Sequence, residues 1–314
     1  MEDKSSNEFR VATVILNYNT WDETIDCIIS ILETYQNMSI FIVDNCSNEP
    51  QTDKFRNYMN ANRNIYLINA DLNGGYSAGN NLGINKVINL GFDYIFISNS
   101  DIIVVGDTVN KMISLCEDTP NCAIVGPQIY NKDGVFLPFL MRCKLDFYGK
   151  LKNMGLKIPI VKWFLNGFKK SFIIDSEISK PEKVFGVHGS FFLMTKECAE
   201  FLYPLDERSF LYEEEYIIGC QIENTKYSAY ICPDTKVIHL EGVSTKGMSP
   251  FAFKCMTDSE QLYMQKYLCC KGYQCAFLYF VRHIQFVLKS FVDSRYRKFL
   301  LSYLKQTKDY KKKL

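Results

Sequence analysis

The sequence predicts an α/β protein in which a mostly parallel central sheet carries helices on both of its faces. The first observation is an alternation: short apolar segments rich in β-branched residues are followed by segments whose apolar residues recur at helical spacing. The second is composition. With 314 residues, 47% of them hydrophobic and 23% charged, the chain cannot be wholly disordered and suffices for one large core or two modest domains.

The predicted elements follow one another in a regular order up to residue 125. Strands are predicted at residues 10–16, 39–43, 64–68, 93–98 and 122–125, and helices lie between them near 25–32, 53–61, 80–90 and 107–117. Thr20-x-x-Glu23 resembles a capping box at the start of the first helix.

The second half of the chain is less regular. After an irregular stretch at 134–182, strands are predicted at 184–194, 228–231 and 236–240, with short helices at 196–202 and 213–223. From residue 257 onward the pattern is helical. We therefore predict a boundary near residue 250, which separates a main domain (residues 1–250) from a helical extension (residues 251–314).

Charge is distributed unevenly along the chain. The net charge is only +1, but from Arg282 to the end ten Lys or Arg stand against two Asp or Glu, a net of +8 that leaves −7 for the rest. A basic amphipathic helix of this kind suits peripheral contact with an anionic membrane surface. A solvated helix face is the plainer alternative, and we expect no nucleic-acid partner.

Hydropathy and cysteine usage indicate a cytoplasmic protein. The longest apolar run, Gly272–Val281, is about half of the ~20 residues that a membrane span needs, so no span is expected. The first residues lack the apolar region of a signal peptide. Twelve cysteines are scattered without a C-x-x-C pair, which is typical of reduced thiols rather than of disulfides or zinc.

Polar residues cluster where predicted strands end. The clusters are Asn17-Tyr18-Asn19, Asp44-Asn45, Asn73-Gly74-Gly75 and Asn99-Ser100-Asp101. Each alone could be an ordinary turn. Because the carboxyl ends of parallel strands meet along one edge of a sheet, we expect all four clusters to border one ligand-binding crevice.

The glycine-rich cluster leads into a helix that carries Asn80 and Asn81. A helix N-terminus favours anions, so this loop suits backbone approach to a phosphate or a sugar, although a plain turn is the alternative. It lacks the lysine of a Walker A motif and the G-x-G-x-x-G spacing. Mononucleotide P-loop and dinucleotide-binding folds are therefore disfavoured.

Seven segments in order resemble family 2 glycosyltransferases of the GT-A fold, close to the rhamnosyltransferase-like branch. They are VILNYNTWDETIDCIISI, IFIVDNCSN, NGGYSAGNNLGI, YIFISNSDI, GVHGSFFLMTKE, FLYEEEYIIG and ICPDTKVIHLEGVS, and the resemblance extends from Val11 to about Thr245. The resemblance implies an inverting hexosyltransferase. Its donor would be dTDP-rhamnose or a UDP-hexose, and its acceptor a hydroxyl of a lipid-linked surface polysaccharide such as capsule or O-antigen.

The resemblance also implies roles for the polar clusters. It assigns nucleotide and donor contacts to Asn17, Tyr18, Asp44, Asn45, Asn73, Gly75, Asn80, Asn81, Asn99, Ser100 and Asp101. Asn99-Ser100-Asp101 stands where the family has Asp-X-Asp, so Asp101 is the implied ligand of a divalent cation, Mn²⁺ or Mg²⁺. One carboxylate suffices for a hard cation held mainly by diphosphate oxygens, but with weaker affinity than two. His239 matches a histidine that completes the metal site or touches the diphosphate, and a structural role is the alternative.

The acceptor side and the base are implied in the same way. His188, Gly189 and Ser190 match the acceptor side of the pocket. The run that ends in Glu214-Glu215 resembles F-L-Y-x-E-D, whose last acid is the catalytic base, so Glu215 is preferred over Glu214. Crowded carboxylates gain pKa values suited to a base, whereas the plainer alternative is an acidic helix start stabilised by the helix dipole.

Two other classes of function stay open at this stage. Asn99 in place of the first acid is compatible with a catalytically weak scaffold that binds nucleotide sugars and assists polysaccharide assembly. The basic end of the chain is compatible with a membrane-surface adaptor that binds no nucleotide.

Overall fold

The computed structural model describes residues 9–62, 64–138, 141–155, 172–240 and 248–310, with side chains up to residue 305. Its strands are β1 (Val11–Asn17), β2 (Ser39–Asp44), β3 (Ile65–Asn69), β4 (Tyr94–Asn99), β5 (Ile102–Val105), β6 (Cys122–Gly126), β7 (Ile129–Asn131), β8 (Glu182–Val184), β9 (Phe191–Thr195), β10 (Ser228–Ile231) and β11 (Lys236–His239). Its helices are α1 (Trp21–Thr34), α2 (Asp53–Ala61), α3 (Gly75–Leu90), α4 (Thr108–Asp118), α5 (Phe147–Gly155), α6 (Lys196–Leu202), α7 (Glu214–Ile222), α8 (Pro250–Leu262), α9 (Gly272–Val292) and α10 (Ser294–Tyr310), with a π-helical turn at Tyr263–Tyr267.

Two sheets organise the first part of the chain. The larger has eight strands in the order β3-β2-β1-β4-β9-β6-β10-β8, and the smaller has three in the order β5-β11-β7. Strands β3, β2, β1 and β4 run parallel to one another, whereas β9 runs antiparallel to both β4 and β6. The predicted α/β architecture is confirmed.

Helices cover both faces of the large sheet. Ile15 of β1 packs with Ile25 and Ile28 of α1 in the main hydrophobic core. On the other face α3 approaches β1 so closely that a Cβ added to Gly83 would lie 2.3 Å from a methyl carbon of Val14. Since successive side chains of a strand point to opposite faces, the two contacts enclose the sheet between helices.

Several predicted elements differ from those observed. The strand-like runs predicted within 184–194 are β8, which ends at Val184, and β9, which begins at Phe191, and the loop between them contains the predicted acceptor residues. Strands β5 and β7 were not predicted, and α3 begins at Gly75 rather than at residue 80. The predicted capping box is wrong, because the Thr20 side chain makes no capping hydrogen bond to α1. Its hydroxyl instead donates to Asn17 Oδ1, at 3.0 Å.

The chain forms two compact units. The first comprises residues 1–144, 166–207 and 214–242, and it holds both sheets. The second comprises residues 145–165, 208–213 and 243–314. The predicted extension at 251–314 thus lies in the second unit, which also includes residues 145–165, 208–213 and 243–250 of the predicted main domain.

The second unit is helical and has its own aromatic core. Phe253, Phe286, Tyr296 and Tyr303 form a buried cluster in which the rings of Phe286 and Tyr303 stack 3.8 Å apart. Two ion pairs are buried with it, Lys150–Glu213 and Arg282–Glu260.

The expectation that no segment could span a membrane assumed that the apolar run ends at Val281, and this assumption is wrong. Arg282 does not end the apolar helix, because its guanidinium turns inward to Glu260 and α9 continues to Val292. Within the residues that the structure describes, α9 is the one helix long and apolar enough to cross a membrane by length and composition, and a third of its most apolar stretch is buried.

Candidate functional site

The ends of β1 and β2 bring the first two polar clusters together. Asn17 and Asp44 lie opposite each other in the sheet register, and Asn17 Nδ2 donates to Asp44 Oδ1 at 3.2 Å. Ser47 closes the turn after β2, since its hydroxyl donates to the same Asp44 oxygen at 2.5 Å. The Asp44 carboxylate, predicted to contact the nucleotide, is therefore fixed from two sides at the sheet edge. Tyr18 is 40% exposed beside it.

Asn45 connects the end of β2 to the glycine-rich loop. Its amide nitrogen donates to Asn73 Oδ1 at 3.1 Å and to the Gly75 carbonyl at 3.0 Å. Gly75 has a φ of +83°, a conformation that residues with a side chain rarely adopt, at the first residue of α3. Asn45 thus holds the N-terminus of α3 at the edge of the sheet, where it can face an anion.

Two of the residues predicted on the donor side are buried within the first unit. Asn80 Nδ2 donates to the Tyr76 carbonyl, 3.0 Å away. Asn81 exchanges hydrogen bonds with the backbone of Leu205, at 3.0 and 2.8 Å. The Asn81 contacts fix α3 to the segment at Leu205, whereas the Asn80 bond lies within α3 itself. The donor role of both residues stays a prediction.

Asp101 and His239 meet although 138 positions separate them in the sequence. Strand β11 pairs antiparallel with β5, which sets His239 opposite Ile102 and bonds the backbone N–H of Leu240 to the Asp101 carbonyl. His239 Nε2 lies 3.1 Å from Asp101 Oδ2, and both side chains keep about a sixth of their surface exposed (14% and 17%). Ser100, one position earlier, contacts Thr20 Oγ1 at 2.7 Å.

This pair has the chemistry of a partial metal site. A carboxylate and an imidazole are both ligands of Mn²⁺, and Mg²⁺ binds through a carboxylate plus substrate phosphates. No cluster of three or more His, Cys, Asp or Glu side chains that could hold a metal occurs among the described residues. Asp101 and His239 therefore fit a divalent cation whose remaining ligands come from a diphosphate and water.

The loop between β8 and β9 carries the predicted acceptor residues. The ring of His188 lies edge-on to that of His239, with centroids 5.9 Å apart. His188 Nδ1 accepts from the Ser190 backbone N–H at 3.2 Å, which leaves the ring proton on Nε2. Burial lowers the pKa of His188 to about 4, with a smaller contribution from His239. His188 is therefore neutral at pH 7.

The same loop holds the predicted base. Glu215, in the first turn of α7, accepts a hydrogen bond from the Gly189 N–H at its Oε1, 3.1 Å away. Tyr76 donates to the Gly189 carbonyl at 2.6 Å. Burial, together with the charges of Glu214 and Glu215, raises the pKa of Tyr76 well above its usual range, so it stays a donor.

Glu213, the first of the three consecutive acids, has a different environment from that of Glu215. Both Glu213 carboxylate oxygens accept from Lys150 Nζ, at 2.6 and 2.5 Å, and the two side chains are nearly inaccessible, at 9% and 4%. Glu213 is thus a structural ion-pair partner. Of the two candidates for the base, Glu215 accepts a hydrogen bond from the loop at 188–190, and Glu214 is buried at 9% exposure.

An apolar cavity adjoins His188 in the first unit. Its volume is about 180 Å³. It is lined mainly by Ile129, Phe136, Leu137, Ile174, Ile178 and Ile231. Such a space suits an apolar portion of a ligand rather than a phosphate.

Three residues of the site were missed by the sequence argument. Thr20 contacts Ser100, Ser47 binds Asp44, and Tyr76 holds the Gly189 carbonyl. Ser47 could have been found from its position in an Asp-x-x-Ser turn. Tyr76 sits in the NGGYSAGN segment, but nothing in that segment indicates a partner more than 100 positions away.

Fold and site together define a class of protein. A sheet with its polar strand ends on one edge, an Asp–His pair there, and an acid at the start of a following helix form the arrangement of a GT-A glycosyltransferase. Residues 13–197, more than half of the chain, match the family described as Glycosyl transferase family 2, and the chain belongs to this family. The predicted family is confirmed, whereas the rhamnosyltransferase-like branch stays a prediction. Glu215 and His239 lie beyond the matched segment.

One curated relative is similar to part of this chain. The glycosyltransferase GlyG of Streptococcus pneumoniae serotype 4 is 26% identical over 124 residues, which is 39% of this chain and 40% of GlyG. The chain thus spans less than half the length of that relative.

Three solved structures share the fold at low identity. GalNAc-T7 with UDP, GalNAc and Mn²⁺ has a TM-score of 0.57 at 14% identity, covering 83% of this chain and 49% of that one. A mannosyltransferase from Pyrobaculum calidifontis with GDP-Man and Mn²⁺ gives 0.53 at 14% identity, with coverage of 85% and 66%. S. aureus TarS gives 0.51 at 10% identity, with coverage of 88% and 72%.

Proposed function

We propose that the chain is an inverting glycosyltransferase, which moves a sugar from a nucleoside-diphosphate sugar to a hydroxyl of an acceptor glycan. One observation carries the proposal: the loop His188-Gly189-Ser190 contacts both Glu215 and the Asp101–His239 pair. Gly189 binds Glu215 through its N–H, and His188 contacts His239, which pairs with Asp101. A base and a cation site that contact the same loop suit displacement at an anomeric carbon.

Each group has a defined task in this reaction. Glu215 takes the proton of the acceptor hydroxyl while its oxygen bonds to the anomeric carbon, and the bond from that carbon to the diphosphate oxygen breaks on the opposite face. Asp101 and His239 would hold the divalent cation, which stabilises the negative charge of the departing diphosphate when bound. Gly189, fixed by Tyr76, keeps the Glu215 carboxylate oriented.

The donor and the acceptor are proposed on the family resemblance. We propose dTDP-rhamnose or a UDP-hexose as donor, and a lipid-linked surface polysaccharide of the capsule or O-antigen type as acceptor, handled in the cytoplasm. The UDP and GDP-Man bound in neighbouring structures support a nucleotide-sugar donor in general.

The test compares binding with turnover. UDP, dTDP and GDP, each with and without Mn²⁺, are screened by thermal shift, and hydrolysis of the corresponding sugar donors is measured for the wild type and for Glu215→Gln. We expect Glu215→Gln to keep nucleotide binding and lose about 100-fold in turnover, because the amide keeps its size but accepts no proton. Glu214→Gln is the matched control and should cost less.

Two results would contradict the proposal. If Glu214→Gln is inactive while Glu215→Gln turns over normally, the base is Glu214. If the wild type binds a donor but turns over none of the donors screened, the chain is an assembly scaffold.

A further inference from the structure

Helix α9 presents one exposed apolar face. The exposed stripe consists of Tyr273, Phe277, Phe280, Ile284, Leu288 and Phe291. Their exposed fractions run from 42% for Ile284 to 70% for Phe291. At 3.6 residues per turn, these six side chains fall within about 80° of one another around the helix axis. Soluble surfaces rarely carry so long an apolar strip without a partner.

The opposite face of α9 is committed to the second unit. Leu278 and Phe286 are fully buried, and Arg282 makes a two-pronged contact with Glu260 at 2.7 and 2.6 Å. A helix that crosses a bilayer alone would place this buried ion pair in hydrocarbon, at large cost. The geometry therefore suits a helix that lies along a surface and buries only its exposed stripe.

The part of the chain that carries the stripe is positively charged. From residue 271 to 305 the sequence has seven Lys or Arg and one acid, Asp293. Arg282 and Arg295 are paired with Glu260 and Asp293. Arg297 donates to the carbonyl of Phe291, at the end of the stripe, and Lys298 and Lys305 are exposed on α10.

We propose that the exposed stripe of α9 inserts into the interface of an anionic bilayer, while the cations of α10 contact lipid phosphates. Charge favours a membrane over a second copy of the chain, because two copies joined by this face would bring like charges together. The contact differs from the one predicted from the basic tail alone, since Tyr296 and Tyr303 of α10 face the core. It does not depend on the proposed transfer reaction.

The test is flotation of the full chain with vesicles of phosphatidylcholine and phosphatidylglycerol in equal parts. We expect Phe280→Ser/Leu288→Ser to weaken vesicle binding by about 100-fold, because each side chain contributes roughly a factor of ten when it leaves water. Leu72→Ser/Val135→Ser is the matched control: it removes two apolar side chains of similar exposure, 67% and 60%, from the first unit. That control should bind like the wild type.

A second arm tests the charges. Lys298→Glu/Lys305→Glu should weaken binding by about tenfold or more and reduce its salt dependence, because two cations near the lipid become anions. The thermal stability of every variant is measured, and vesicle binding is compared among variants that are as stable as the wild type. Because the substituted side chains are exposed, we expect all of these variants to meet that condition.

Several outcomes would overturn the inference. Binding of Phe280→Ser/Leu288→Ser at wild-type strength would do so, as would a wild type that ignores vesicles. Loss of self-association in that variant, with vesicle binding unchanged, would mean that the stripe joins two copies. Resistance of the bound wild type to alkaline carbonate would indicate a spanning helix.

Discussion

Two acid–base pairs, one in each unit, look alike in distance and differ in what surrounds them. Arg282 and Glu260 lie 2.6 Å apart, at 8% and 1% exposure, and Arg282 also donates to Gln285 at 3.1 Å. Asp101 and His239 lie 3.1 Å apart at about twice that exposure or more, and each is the other's only side-chain hydrogen-bonding partner among the described residues. The Arg282–Glu260 pair is buried and its hydrogen-bonding groups are engaged with protein atoms. The Asp101–His239 pair is partly exposed, so its lone pairs can face solvent. The candidate site is therefore distinguished by atoms that can still bind a ligand, and not by the short distance between its two side chains.

The Arg282–Glu260 pair should dominate stability. We expect Arg282→Met to lower the free energy of unfolding of the second unit by about 3–5 kcal/mol, because it leaves Glu260 buried without its partner. Denaturant titration measures this. The double variant Arg282→Met/Glu260→Met should lose much less, since removal of both charges also removes the desolvation cost. If the single and double variants lose equally, the loss does not come from an unpaired Glu260 carboxylate.

The Asp101–His239 pair should dominate ligand binding. We expect Asp101→Asn to remove most of the enhancement of UDP or dTDP binding by Mn²⁺, about 100-fold at most, with little change in stability. Calorimetry with and without Mn²⁺ measures the enhancement. Asn99→Ala is the control and should weaken donor binding less. An unchanged enhancement in Asp101→Asn would mean that the cation binds elsewhere.

The loop at 188–190 allows a finer test. A Cβ added to Gly189 would lie 3.0 Å from Glu215 Oε1 and 3.3 Å from the Tyr76 hydroxyl, so the carboxylate must shift by a few tenths of an ångström. We expect Gly189→Ala to lower turnover by about tenfold while nucleotide binding persists, because small misplacements of a catalytic group are costly. Steady-state kinetics with excess donor measure it, and normal turnover would show that the Glu215 position tolerates movement.

The smallest effect is expected at Ser190. Its hydroxyl is buried and has no hydrogen-bond partner in the part of the chain that the structure describes. We expect Ser190→Ala to raise the free energy of unfolding by about 1 kcal/mol and to lower transfer to a glycan acceptor. Ser228→Ala is the control, because Ser228 is also buried but lies on β10 and not in the loop at 188–190. A loss of stability in Ser190→Ala would mean that the hydroxyl is satisfied by water.

The sequence predicted the sheet edge well because the rule behind it is topological. Asn17, Asp44 and Asn99 end parallel neighbours, so their meeting requires no knowledge of side chains. The Asp101–His239 contact was reached through resemblance alone, since the four-residue strand β5 that sets it was missed.

Long-range pairing explains the remaining errors. Arg282 reads as the end of an apolar run unless its partner Glu260 is known, and that partner lies 22 positions away. Glu213 cannot be separated from its two neighbours by type, and Lys150, which distinguishes it, lies 63 positions away. Local patterns specify helices and strands, but not which distant charge a side chain will find.

The acidic run has a consequence for how this chain can change. Tyr212 and Glu213 both have left-handed backbones, with φ of 70° and 67°, so consecutive carboxylates leave the chain in different directions. Glu213 reaches Lys150, and Glu215 reaches the Gly189 N–H. Gain of one residue here would move Glu214 into the place of the proposed base, and loss of one residue would move Tyr216 there. The segment should accept substitutions at Tyr212 far more readily than any change in length.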